Sequence, residues 1–164
     1  MESQPQQFNI ENSPMREVYE LLEASTPLEL SQKYTKAEQP LFISQEWDYE
    51  NPEQIQNKVK GILESTDPSI LTEEEQDWRQ EILWFWYHHA ISCAIWKKDK
   101  EKAREYSNKA LELQDKNHPN KITKILNLLV NDKVDEAEEF VKTVETDREE
   151  AQGLIDDYKE GRFF

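Results

Sequence analysis

The chain has 164 residues, 35 acidic against 20 basic, giving a net charge of −15 and a pI near 4.6. That balance repels phosphate and excludes direct binding to a nucleic-acid backbone, which needs clustered Lys and Arg. Three glycines, Gly61, Gly153 and Gly161, leave no Gly-rich phosphate loop, and one cysteine, Cys93, excludes an internal disulfide and fits a reducing compartment.

Apolar residues are 36% of the chain and mean hydropathy is −0.96, so they must be concentrated for one domain's worth of sequence to build a core. No leader, lipidation motif or membrane-length apolar run is read, so a cytoplasmic protein with no membrane partner is expected.

Residues 1–12 are rich in Gln, Ser and Asn and are expected to form a mobile tail before one all-α domain over 13–164. Ser13-Pro14 predicts a helix start, with Val18, Leu21 and Leu22 on one side of the helix that follows. Thr26-Pro27 repeats the signal and opens a short helix through Leu28, Leu30 and Tyr34, before Pro40 ends regular structure. The segment 40–54 reads as an irregular connection pinned by Phe42 and Trp47, or as an acidic docking segment that exposes Trp47 and Tyr49. Asn51-Pro52 starts a helix with Ile55, Val59 and Ile62 at helical spacing, and its interior Gly61 suggests a close helix crossing.

Thr72 and Glu75 form a T-x-x-E capping box, with Glu73, Glu74 and Glu75 at the positive end of the helix dipole. The helix they open should run over about 73–97. Its core, EILWFWYHHAISCAIW, places Ile82, Phe85, Trp86, His89, Cys93 and Trp96 along one side, with Leu83, Trp84, Tyr87, Ile91, Ala94 and Ile95 over most of the rest. A helix apolar nearly all round is expected to be buried, and this one is short for a membrane span.

Beyond the charged turn Lys97–Lys98–Asp99–Lys100 the chain becomes regular. The turn KKDKEKA and the following AREYSNKALEL are matched by NDKVDEA in the stretch ITKILNLLVNDKVDEAEEFVKTV, so that Ala137 stands 34 residues after Ala103. Residues 86–144 on these motifs resemble two tetratricopeptide repeats, with Ala103 and Ala110 at the family's small positions. Ile125 and Val144 stand where small residues are usual, and neither turn has the family's glycine. Two repeats need closed ends. Residues 13–71 are read as an N-terminal helical cap and 72–145 as the long central helix and repeats. A capping helix over 146–164 is started at Thr146 or Asp147 and stopped by Gly161, with Phe163 and Phe164 folded back.

His88, His89, Cys93 and His118 are the available soft or borderline metal ligands. His89 and Cys93 lie one helical turn apart, but no metal-binding or nucleophile motif accompanies them. The expectation is a helical bundle or short α-solenoid with no catalysis and no cofactor or metal, binding a protein or peptide, with a basic partner favoured by the charge. The resemblance implies a groove wall formed by Phe85, His88, Ser92 and Ile95 from the first repeat, joined by Ile122, Leu126 and Leu129 from the second. Filling of that space by the C-terminal helix is the competing arrangement. An acidic inhibitor or nucleic-acid mimic, and a structural or oligomerising subunit, are the alternative functions.

Overall fold

The computed structural model describes residues 10–30, 32, 55–117 and 119–164. The connection 40–54 with Phe42 and Trp47, the extension to Tyr34 and Pro40, the Asn51-Pro52 start, residues 1–9 of the tail and His118 lie outside them. Among the described residues the fold is all-α, with no strand. A 3-10 turn, Ile10–Asn12, precedes α1 (Arg16–Leu21), and a helical turn covers 27–30. Then come α2 (Ile55–Ser65), a 3-10 turn at Pro68–Ile70, α3 (Glu73–Trp96) and α4 (Lys100–Leu113), followed by α5 (Lys121–Val130), α6 (Val134–Val141) and α7 (Arg148–Lys159).

The described residues fall into two compact units, one up to Ile82 and one from Leu83 onward. In the first unit α1 packs on α2, burying Val18, Tyr19 and Leu22 from one and Val59 and Leu63 from the other. The helix start expected at Ser13-Pro14 is displaced. Pro14 sits in a turn, α1 begins at Arg16, and Met15 is wholly buried. Ser13 instead closes the turn, its Oγ accepting from the Met15 amide at 3.1 Å while donating to Glu75 Oε2 at 2.7 Å.

Glu75 is the polar centre of this unit. The capping box forms as predicted, the Glu75 amide donating to Thr72 Oγ1 at 3.1 Å and the Thr72 amide to Glu75 Oε1 at 3.2 Å. The same carboxylate, 2% exposed, also accepts from the hydroxyls of Ser13 and of buried Tyr19, the latter at 3.2 Å. Burial and the Glu75 charge push the Tyr19 phenol far above its ordinary value, so it remains a donor. At the end of α2, Arg79 Nε donates to the Leu63 carbonyl at 2.8 Å, meeting an acceptor the helix cannot satisfy itself. The close crossing expected at Gly61 is absent among the described residues, since a Cβ built there would meet nothing within 4 Å.

In the second unit α5 lies among α4, α6 and α7, and its Ile125, Leu126, Leu128, Leu129 and Val130 are all buried. The α4 face includes Ala103, Ser107 and Ala110, each fully buried. Small side chains let the α4 and α5 backbones approach, and the buried hydroxyl is paired. Asn127 Nδ2 donates to Ser107 Oγ at 3.0 Å and to Asn108 Oδ1 at 2.8 Å. Phe163 returns into the core against Tyr158.

The turns closing α3 and α5 are built alike. Lys98 (φ 61°) and Asp132 (φ 59°) take the left-handed conformation, 34 residues apart. Around the first, amides 98 and 99 donate to carbonyls 95 and 94; around the second, amides 132 and 133 donate to carbonyls 129 and 128. This is the Schellman pattern, with a charged residue where glycine is the usual occupant. Glu23 and Gly161 close their own helices with the same pair of bonds. Ala103 and Ala137, five residues beyond each repeat turn, are both fully buried.

Two outcomes follow for stability. Ala103→Leu and Ala137→Leu should each overpack their helix contacts and cost about 1–3 kcal/mol in denaturant unfolding, whereas exposed Glu101→Leu should change little; equal small effects at all three sites would contradict the packing. Glu75→Ala, by removing the carboxylate that the Tyr19 and Ser13 hydroxyls donate to, should cost about 1–3 kcal/mol, and Tyr19→Phe in that background should cost much less than it does alone.

Candidate functional site: an uncharged helical wall

The fifteen residues 82–96 of α3 contain no Asp, Glu, Lys or Arg. Only part of this surface is buried, through Ile82, Leu83, Trp86, Tyr87, Ala90, Ile91 and Ala94. The buried-all-round expectation is therefore corrected. In the second unit Trp84, Phe85, His88, His89, Cys93 and Ile95 are half-buried, Ser92 is exposed, and Trp96 is 54% exposed.

Helical spacing sets the wall's texture. Residues four apart stand one above another, so Trp84 stacks on His88 with centroids 5.0 Å apart and Phe85 on His89 at 5.8 Å. The two stacks meet edge to face, Trp84 with Phe85 at 4.9 Å and His88 with His89 at 5.2 Å. The other side of the helix is fixed by Trp86 and Tyr87, whose rings both lie against Tyr106 of α4.

His88 joins this box to α5. Its Nδ1 shares a hydrogen bond of 2.8 Å with Thr123 Oγ1. Thr123 is buried in the first turn of α5, where its amide donates to the capping Asn120 Oδ1 at 3.0 Å. Burial lowers the His88 pKa from 6.5 to about 4, and burial with the neighbouring His88 lowers that of His89 to about 3. Both imidazoles are neutral at pH 7, so the wall is uncharged in fact as well as in sequence. The Trp84 indole nitrogen is buried and finds no hydrogen-bond acceptor among the described residues.

Of the residues expected on a groove wall, Phe85, His88, Ser92 and Ile95 share this half-exposed face of α3, and Ile122 is half-buried on α5. Leu126 and Leu129 are 3% and 0% exposed and belong to the core, where α7 packs on α5. Trp96, the wall's largest accessible side chain, and half-buried Trp84 belong to the helix expected to be buried all round and not to the expected groove wall. The uncharged run was their signal, but a helical wheel without neighbours cannot show which side stays open. Cys93 is half-buried. Among the described residues no three His, Cys, Asp or Glu side chains converge as a metal site, and no helix is long and apolar enough to cross a membrane.

Charge is divided unevenly along the chain. Residues 1–82 hold 18 acidic and 6 basic side chains, net −12; residues 83–164 hold 17 and 14, net −3. The wall thus belongs to the nearly balanced part. Comparison with protein-family models, with curated proteins and with solved structures finds no match to this chain.

The two histidines carry a pH dependence of definite sign. With folded values near 4 and 3 against 6.5 unfolded, the unfolded state binds more protons between these limits. Stability should therefore fall as pH drops below about 6.5, most steeply toward pH 4. Thermal midpoints of wild type and His88→Gln measured from pH 7 to pH 4 should converge as the pH falls; parallel curves would show that burial does not perturb His88.

Proposed function

We propose that the chain is a non-catalytic adaptor that binds protein or peptide segments in the manner of tetratricopeptide-repeat proteins. The observation that carries this reading is the uncharged, aromatic wall of α3, left half-open along Phe85, His88, Ser92, Ile95 and Trp96. An apolar stripe of this kind takes an amphipathic helix or an extended segment, with aromatic anchors supplying most of the contact energy. The repeat reading is supported by the two left-handed turns 34 residues apart and by the buried alanine five residues beyond each. The wall has neutral imidazoles and no carboxylate, so its contacts are apolar, and the acid excess elsewhere steers basic partners toward the molecule.

Ile95→Glu should keep the helical circular-dichroism signal and lose a partner recovered by affinity capture, whereas Leu126→Glu, at a core position, should unfold the second unit. Retention of that partner by a folded Ile95→Glu protein would move the site off α3. A second reading, an acidic inhibitor or nucleic-acid mimic, is favoured by the net −12 of residues 1–82. It requires binding that collapses with salt and is indifferent to Ile95.

A further inference from the structure

A second surface, in the first unit, is a groove open to solvent. It opens between α1 and α2 with a volume of about 700 Å³. Leu21 and Ile62 supply its apolar lining, both half-buried. Glu17 and Glu20 border it from α1, while Lys58 is the one base among the described lining residues.

Gly61 lies on this groove in the interior of α2, with Ser65 one turn further along. A glycine there weakens the helix by about 1 kcal/mol relative to alanine. Its backbone does not need that freedom, since its φ is not positive, and its missing Cβ makes room for nothing in the described structure. What the missing side chain does is lower the groove at this position, where an incoming backbone can come close.

We propose that this groove docks a cationic amphipathic helix of a partner protein, crossing α2 at Gly61. The apolar face of the incoming helix covers Leu21 and Ile62. Its basic residues meet Glu17 and Glu20 within a stretch of chain, 1–82, where acids outnumber bases three to one. Glu20 already pairs with Arg16 at 2.8 Å on an exposed edge, so Glu17 is the carboxylate most available to the partner. Charge of this kind sets approach and orientation, and the groove sets position. None of its lining residues belongs to the α3 wall, and the proposal stands whether or not that wall binds a partner.

The probe is a fluorescent amphipathic helix of leucine and lysine, with a leucine–glutamate helix of the same pattern as control, titrated against the full chain by anisotropy. The cationic helix should bind and the anionic one should not, and binding should weaken as salt is raised. Gly61→Leu should reduce affinity by about tenfold or more, as expected when a close contact at the centre of an interface is blocked. Gly153→Leu, at an equally open glycine on α7, should leave it unchanged. Glu17→Lys, an exposed change, should also weaken binding without altering the thermal midpoint. Failure of the cationic helix to bind, equal loss with Gly153→Leu, or unimpaired binding by both Gly61→Leu and Glu17→Lys would each overturn the proposal. So would unfolding by Gly61→Leu, which would show that the chain itself fills the groove.

Discussion

A run of fifteen residues without a formal charge cannot be left in water along its whole circumference, and α3 must present all of them on one rod. At about 25 cal/mol per Å² of apolar surface, large side chains such as Leu83, Trp86 and Ile91 strongly favour burial. The buried set, from Ile82 through Trp86 and Ala90 to Ala94, forms one continuous side of the helix. The opposite side is covered only in part, and rings dominate it. Stacking at i, i+4 lets Trp84, Phe85, His88 and His89 shield one another, which lowers the cost of leaving them half-open. The wall is thus the remainder of an apolar helix after its core-facing side has been satisfied.

Polar groups inside this fold act as hubs. Glu75 gathers Thr72, Ser13 and Tyr19 on one carboxylate, tying the start of α3 to the segment before α1 and to α1 itself. Asp132 does the corresponding task at the surface of the second unit. It accepts from Lys100 Nζ and Arg104 Nη2 of α4, at 2.7 and 2.8 Å, and from the Tyr158 hydroxyl of α7 at 2.6 Å. These partners hold its carboxyl below the ordinary aspartate range. The left-handed backbone at a non-glycine costs about 1 kcal/mol, and exposed ion pairs return about 0–1 kcal/mol. The two terms nearly cancel. Aspartate at this turn therefore contributes alignment of α4, α7 and the α5–α6 turn more than net stability.

How much of this could be read beforehand depends on whether the signal is local. The Thr72–Glu75 box, the left-handed Gly161 and the return of Phe163 are short-range chemistry, and each appears where the residues point. The Ser13-Pro14 start does not, because a hydroxyl that reads as a helix cap is held by Glu75, 62 residues away. Gly61 was read as a helix crossing, yet its side is open, since a glycine shows only that a side chain is missing. The glycine-free turns at Lys98 and Asp132 carry no local sign of their left-handed geometry; the match of KKDKEKA to NDKVDEA at a 34-residue spacing is what links them. Leu126 and Leu129 were assigned to a wall by analogy of position, and tertiary packing of α6 and α7 on α5 made them core.

Those two leucines bear on where the proposed binding would fall in the second unit. A groove floored by α5 would need its apolar side chains open, but α4, α6 and α7 already take them. What remains open is one side of one helix, from Trp84 to Trp96. On the proposed reading, a surface offered by a single helix favours a partner segment that brings its own rigid shape. The imidazoles bear on the same reading. Burial keeps them uncharged at neutral pH, so they neither repel a basic partner nor attract an acidic one, and His88 is further held by Thr123. Protonating either would place a cation among Trp84 and Phe85 and loosen the very box that forms the surface. On the proposed reading, stability of the wall and binding of an apolar helix should therefore be lost together in acid, because both would rest on the same neutral rings.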